Sequence, residues 1–167
     1  MRNSIAAKVA LGGMFAALAA VIMILGGVIP VATYVCPVLC VVICYLVQKF
    51  CGSRMAWAWY GTTVLLVLLL APDKEAVGVL IFFGYYPILK DHMDKLPLLI
   101  AWILKLVYFN LSTVTLYFLL IYLFGFQGHL HEFREMGTGL LVLTVFLGNI
   151  VFLMTDHLLR ILKIRFK

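Results

Sequence analysis

VALGGMFAALAAVIMILGGV, residues 9–28, is an apolar run that contains no charged side chain. A helix that crosses the hydrocarbon core of a bilayer needs about 20 apolar residues, so this run predicts a membrane-spanning helix. The rest of the chain has the same character. Of its 167 residues, 65% are hydrophobic and 12% are charged, and the mean hydropathy is +1.13. Soluble domains carry about 25% charged residues, so the composition excludes an ordinary soluble domain and indicates a polytopic membrane protein.

Six apolar segments predict an all-α membrane domain that comprises the whole chain, 1–167. They lie at about 9–28, 34–47, 55–71, 76–89, 98–124 and 138–161. Helices are expected because backbone polar groups in lipid must be satisfied within their own segment. The fourth segment is the shortest and is interrupted by Gly78, Gly84 and Pro87. It is therefore expected to form a short, kinked or partly re-entrant helix.

The basic residues predict the orientation of the chain. If the N-terminus is cytoplasmic, ten of the 13 basic residues fall on cytoplasmic segments, whereas Lys74 and Arg134 fall outside and Lys105 lies within a helix. Cytoplasmic loops of membrane proteins carry an excess of Lys and Arg, so both termini are predicted to be cytoplasmic. The net charge of +6 is then an insertion signal, and no nucleic-acid partner is expected.

Small residues form two ridges along the first segment. Gly12, Ala16 and Ala20 follow one another at intervals of four residues, and Gly13 and Ala17 lie on the neighbouring ridge. This spacing lets another helix approach closely. Two interpretations are open at this point: packing within the chain's own bundle, or docking of a separate membrane subunit.

Two ionisable residues lie inside apolar segments, where charge is costly and often functional. Lys105 and Asp156 are each about seven residues from the cytoplasmic end of their helices. At about 1.5 Å per residue they reach the same depth on antiparallel neighbours. This predicts an intramembrane ion pair, or a small polar cluster that includes His157. Such a pair either holds the helices together or belongs to a proton or ion relay.

Asn110 and Asn149 also share a depth, near the middle of the fifth and sixth segments. Amide side chains at this depth either hydrogen-bond across a bundle or line a ligand pocket. The sequence does not favour one of these alternatives over the other.

Thiol and imidazole groups offer weaker signals. Cys36, Cys40 and Cys44 lie on one face of the second segment, where a soft metal is conceivable but packing as small apolar side chains is favoured. His129 and His131 lie in the polar loop at 125–137, and a solvated loop is the favoured interpretation. We expect no metal and no cofactor. The chain also lacks a phosphate-binding loop, a GxSxG elbow and an HExxH pair, so no enzyme is predicted.

The arrangement resembles the substrate-binding S components of energy-coupling factor (ECF) transporters. The resemblance rests on the AxxxA spacing of Ala16 and Ala20, preceded by Gly12 and Gly13 and followed by a turn at Ile29 and Pro30, within a compact six-helix chain. It implies a multi-pass protein of the bacterial cytoplasmic (inner) membrane that binds a vitamin or similar micronutrient from outside. It further implies docking through the first helix onto a transmembrane coupling protein driven by partner ATPase subunits.

The family's pocket is formed by the outer loops and the outer parts of the last helices. The resemblance thus implies substrate contacts from Pro30, Thr33, Tyr34, Asp73, Glu75, Asn110 and Asn149. Acidic residues outnumber basic ones in the outer loops, which favours a neutral or cationic small molecule, and its identity stays open. Two other functions are alternatives: a non-transport membrane scaffold or assembly subunit, and a self-contained small transporter.

Overall fold

The computed structural model describes residues 5–27, 29, 32–123 and 138–165, and all regular secondary structure in these ranges is helical. The predicted all-α class is therefore confirmed for them. Pro30 and the 125–137 loop, with His129 and His131, lie outside the described residues. The helices are α1 (Ile5–Gly26), α2 (Ala32–Cys51), α3 (Ser53–Leu70), α4 (Lys74–Phe83), α5 (Tyr86–Met93), α6 (Leu98–Leu123) and α7 (Thr138–Arg165).

Five helical segments are long and apolar enough to cross a membrane, as expected for a multi-pass membrane protein. They are Ile5–Gly26, Ala32–Cys51, Ser53–Leu70, Leu99–Leu119 and Val142–Arg165. The sequence predicted six spans. The difference lies in the predicted segment 76–89, which the structure divides into α4 and α5.

Pro87 explains this division. Proline has no amide hydrogen, and its ring clashes with the carbonyl of the residue four positions earlier, which here is Phe83. Gly84 (φ −61°, ψ −31°) and Tyr85 (φ −90°, ψ 0°) still keep right-handed helical dihedral angles. The backbone therefore continues in the helical sense through the interruption.

Two helices continue past their predicted ends. The second was predicted to end at 47 and reaches Cys51, and the last was predicted to end at 161 and reaches Arg165. The additional turns contain Lys49, Lys163 and Arg165. Long basic side chains extend from a helix end towards the headgroups, so a charge marks the edge of the membrane without ending the helix.

The chain contains two compact units, Met1–Lys95 and Leu96–Lys167. In the first unit, α1 packs against α2 and α3, and α2 packs also against α4 and α5. One buried cluster joins these helices and includes Ala19, Cys40, Ala56, Val67 and Leu80.

The α1–α2 contact shows how closely the two backbones approach. A Cβ atom added at Gly26 would lie 2.3 Å from Sγ of Cys36. Further along, Cys40 Sγ lies 3.9 Å from the carbonyl oxygen of Ala19 and Cys51 Sγ lies 3.7 Å from that of Lys8. Later residues of α2 meet earlier residues of α1, so the two helices are antiparallel. Their small side chains allow the close approach.

An aromatic cluster of Trp57, Tyr60 and Tyr85 connects α3 with the bend between α4 and α5. The ring centroid of Tyr85 lies 5.9 Å from that of Trp57 and 5.5 Å from that of Tyr60. The Tyr60 hydroxyl donates a 2.5 Å hydrogen bond to the carbonyl of Ile81. A Cβ atom at Gly84 would come within 3.1 Å of the Tyr60 ring, so the absence of a side chain there lets Tyr60 approach the backbone.

The second unit is a helical hairpin in which α6 and α7 are antiparallel. From one end to the other, Asn110 meets Asn149, Phe109 stacks on Phe152 with centroids 4.9 Å apart, and Lys105 meets Asp156. Two of these three contacts are polar. Because lipid provides no hydrophobic force between helices, polar contacts of this kind contribute to helix association in membranes.

Candidate functional site

The small residues of α1 are divided between the interior of the first unit and its surface. Gly12, Ala16 and Ala20 are buried, and a Cβ atom at Gly12 would lie 3.9 Å from Cε of Met55 on α3. Gly13 and Ala17 are exposed. The first ridge is therefore occupied by packing within the chain, and only the second ridge is free to meet a partner subunit.

Four of the candidate substrate residues come together at one end of the first unit. The Thr33 hydroxyl donates to Oδ2 of Asp73 at 2.8 Å, and the Tyr34 hydroxyl donates to Oε1 of Glu75 at 2.6 Å. The first turn of α2 is thereby joined to the start of α4. We call Thr33, Tyr34, Asp73 and Glu75 the α2–α4 polar cluster.

Asp73 has a structural task within the α2–α4 polar cluster. Its Oδ1 accepts hydrogen bonds from the backbone amides of Glu75 at 3.0 Å and Ala76 at 3.1 Å. These amides belong to the first turn of α4, which has no intrahelical partners for them. Asp73 is therefore the N-cap of α4, and this alone is a reason for an acidic residue at this position.

Lys74 is directed away from these carboxylates. Its Nζ donates to the carbonyl oxygens of Leu68 at 2.9 Å and Ala71 at 3.0 Å. The last carbonyls of α3 lack intrahelical donors, so the ammonium group satisfies the end of that helix.

The structure brings Lys105 and Asp156 together, with Nζ 3.1 Å from Oδ2. Both side chains are largely buried, at 10% and 13% exposure. His157, the possible third member of this group, is exposed on α7.

Asn110 and Asn149 hydrogen-bond to each other in both directions. Nδ2 of Asn110 lies 3.1 Å from Oδ1 of Asn149, and the reverse distance is 3.3 Å. Each amide also donates to a carbonyl of its own helix, that of Leu106 or Val145, at 2.8 Å. This arrangement matches the first of the two alternatives, a hydrogen bond across the helices.

The three cysteines on one face of α2 are buried in the first unit and form no disulfide with the described residues, as is also true of Cys51. The sulfurs of Cys36, Cys40 and Cys51 lie along the contact with α1, where a small side chain is needed. Among the described residues, no three or more His, Cys, Asp or Glu side chains are grouped closely enough to hold a metal ion.

Sequence reasoning missed a polar group at the other end of the first unit. Gln48 Nε2 of α2 donates to Oδ2 of Asp91 on α5 at 2.8 Å. The neighbouring Lys90 is 4% exposed and lies 3.7 Å from Asp94. The spacing of Lys90 and Asp94 by four residues was the available signal, but Lys90 was interpreted only as a cytoplasmic charge.

Two further buried polar atoms belong to α3. Trp59 Nε1 and Thr63 Oγ1 have no hydrogen-bond partner within the described part of the chain. Their spacing by four residues places them on one face of α3. No feature of the sequence distinguishes them from apolar core positions.

Comparison of the chain with protein-family models, with curated proteins and with solved structures finds no match.

Proposed function

We propose that this chain is the substrate-binding membrane subunit of an ECF-type transporter that takes up a vitamin or similar micronutrient. In this proposal the chain crosses the bacterial cytoplasmic membrane six times, and both termini are cytoplasmic. The fourth crossing in chain order is formed by α4 and α5 together. Its uncharged stretch, residues 76–89, corresponds to about 21 Å of helix, which is shorter than a hydrocarbon core of about 30 Å, and the interruption at Gly84 and Tyr85 lies within it.

The observation that carries the proposal is the convergence of Thr33, Tyr34, Asp73 and Glu75. These residues lie at the start of α2 and at the start of α4, next to the first and third connections of the chain, which the proposed topology places on the outer surface. An aromatic ring, a hydroxyl and two carboxylates brought together in this way suit a neutral or cationic ligand that donates hydrogen bonds.

The internal charges are also consistent with a subunit that binds substrate without driving transport itself. In the second unit, the buried side chains of Lys105 and Asp156 pair and neutralise each other. We therefore assign them a structural role, and the energy for transport would come from ATPase subunits acting through a coupling protein.

Docking onto that coupling protein is assigned to Gly13 and Ala17. They are exposed on α1, and a glycine and an alanine allow a partner helix to approach closely. Gly12, Ala16 and Ala20 lie on the neighbouring ridge and pack inside the first unit, which fixes the position of α1.

The test starts from the full chain, tagged and purified from membranes of its native host, with mass spectrometry of co-purifying small molecules and proteins. We expect one small molecule, lost in Tyr34→Ala and Glu75→Ala, together with a coupling protein and ATPases. Ala17→Trp should keep the small molecule and lose the protein partners. Ala58→Trp, at an exposed alanine of α3, is the matched control and should keep both. Preparations that contain neither a small molecule nor ATPases would contradict the proposal.

The scaffold alternative is supported by the burial of Gly12, Ala16 and Ala20 against helices of the same chain. A scaffold subunit would co-purify with membrane proteins other than ATPases and would carry no small molecule. The same experiment therefore separates the two functions.

A further inference from the structure

Two polar side chains of α3, those of Trp59 and Thr63, lie in the core of the first unit. They are 4% and 1% exposed, and their spacing by four residues places them on one face of the helix. Among the residues that the structure describes, none offers a hydrogen-bond partner to Trp59 Nε1 or Thr63 Oγ1. Buried polar groups in proteins nearly always have a partner, and lipid supplies none. These two groups therefore require a partner from elsewhere.

The hydroxyl of Thr63 differs from that of its neighbour on α3. Thr62 Oγ1 donates to the carbonyl oxygen of Ala58, four residues earlier, at 2.9 Å. This is a common partner for a threonine hydroxyl within a helix, and the same kind of bond is made by Thr113, Thr115 and Thr155. Thr63 does not form this bond with the carbonyl of Trp59, so its hydroxyl is available to a group outside the α3 backbone.

One helix that packs against this face is α1, which runs in the same direction as α3. A Cβ atom added at Gly12 would lie 3.9 Å from Cε of Met55, near the start of α3. A Cβ atom added at Gly27 would lie 2.6 Å from Cγ of Pro72, just beyond the end of α3. Because the two helices advance together, these contacts show which residues of α1 and α3 lie at the same level.

Alanine side chains of α1 lie at the level of the two polar groups. One and two turns beyond the contact of Gly12 with α3, Ala16 comes level with Trp59 and Ala20 with Thr63. Both alanines are buried, at 5% and 6% exposure. A methyl group occupies little space and forms no hydrogen bond. This part of the α1–α3 contact therefore combines small apolar side chains on one helix with two polar groups on the other.

We propose that one water molecule binds between Trp59 and Thr63 at the α1–α3 contact. The indole N–H only donates and therefore needs an oxygen lone pair, whereas the hydroxyl both donates and accepts. Cβ atoms four residues apart on a helix are about 5–6 Å from each other, a span that one water bridges with two hydrogen bonds of about 2.8 Å. Buried waters occupy such places, next to polar groups that lack a protein partner. This site does not depend on the proposed transport function.

The site is tested directly by a crystal structure of the full chain, grown from a lipid phase, at a resolution that shows ordered water. We expect one isolated density peak within hydrogen-bonding distance of both Trp59 Nε1 and Thr63 Oγ1. The peak should be lost in Thr63→Val and kept in Thr62→Val. A Thr63 hydroxyl that instead donates to the carbonyl of Trp59 would overturn the proposal. So would extended density of a larger molecule at this place.

The effect of Thr63→Val on stability tests the proposal independently, because its sign depends on the water. If water satisfies the hydroxyl, the substitution removes a hydrogen bond and should raise the ratio of unfolded to folded protein by about fivefold. Removal of an unsatisfied buried hydroxyl would instead be neutral or stabilising, and either result would overturn the proposal. Titration of the full chain with denaturing detergent, followed by circular dichroism, measures the ratio, and the spectrum before titration checks folding.

Thr62→Val is the matched control, since it makes the same chemical change at the adjacent, exposed position of α3. Its hydroxyl already has a protein partner, the carbonyl of Ala58. The control should leave the ratio of unfolded to folded protein within about twofold of that of the unaltered chain. An equal loss of stability in both variants would overturn the proposal, because it would mean a general effect of valine on α3.

Discussion

At the scale of single residues, the Lys105–Asp156 pair shows how a membrane changes the contribution of one contact to stability. An exposed ion pair in water contributes little, because solvent and salt screen it. These two side chains are largely buried on apolar helices and lie 3.1 Å apart. Removal of one partner leaves the other charge buried and uncompensated, which is far more costly than removal of both.

We predict that Lys105→Met and Asp156→Leu each lower the free energy of unfolding by about 3 kcal/mol, whereas the double variant recovers most of that loss. Titration of the full chain with denaturing detergent, followed by circular dichroism, measures the difference. Lys95→Met, an exposed lysine between α5 and α6, is the control and should be close to neutral. Single variants as stable as the unaltered chain would show that the ion pair does not stabilise the folded protein. A double variant that is stable but inactive in uptake would instead indicate a relay.

At the scale of helices, the boundary between α3 and α4 is determined by two adjacent side chains. Lys74 satisfies the last carbonyls of α3, and Asp73 satisfies the first amides of α4. Both interactions complement the helix dipoles, since a cation lies at a C-terminus and an anion at an N-terminus. The acidic and basic residues of this connection are therefore partly explained by helix ends, before any ligand is considered.

We predict that Asp73→Ala lowers stability by about 1 kcal/mol, because the N-cap of α4 and the bond from Thr33 are both lost. Asp73→Asn keeps a capping oxygen and should cost only a few tenths of that amount. Thermal unfolding in detergent, monitored by circular dichroism, compares the two. Equal destabilisation by both variants would mean that the charge itself, and not the cap, is what α4 requires. If Asp73 also contacts a substrate, the Asn variant should fold normally but bind it more weakly.

At the scale of the whole molecule, the two units differ in how they are held together. The first has a continuous buried cluster that draws on every helix from α1 to α5. The second is a two-helix hairpin joined mainly by polar and aromatic contacts between α6 and α7. Close packing contributes most in the first unit, and specific side-chain pairs contribute most in the second.

We predict that a fragment of residues 1–95 inserts and folds without the second unit, because its buried cluster is complete. Hydrogen exchange of α1, α2 and α3 should match that of the full chain when both are measured in the same detergent. A fragment of residues 1–71 is the control. It lacks the buried Ala76, Val77, Leu80 and Ile88 and should exchange faster throughout α2. General loss of protection in the 1–95 fragment would mean that the units fold only together.

Much of this architecture follows from the sequence because the bilayer acts as a simple solvent. Long uncharged runs predict the helices, and the isolated charges at 105 and 156 could be paired from helical rise alone, since lipid leaves a buried charge few other partners. The interruption of the fourth segment followed from Pro87 in the same way. Local chemistry and a known environment were sufficient for each of these inferences.

Other features were decided only by tertiary structure, because they depend on the rotation of each helix about its own axis. Spacing shows that Gly12 and Gly13 lie on neighbouring ridges of α1, but packing against α3 decides that Gly12 is buried while Gly13 is exposed. The choice between a cross-helix bond and a pocket for Asn110 and Asn149 is of the same kind. So is the meeting of Thr33 and Tyr34 with Asp73 and Glu75, about 40 residues apart in the chain. In an almost uniformly apolar sequence, hydrophobicity does not distinguish lipid-facing from protein-facing sides, so the shapes of side chains across each helix contact make that choice.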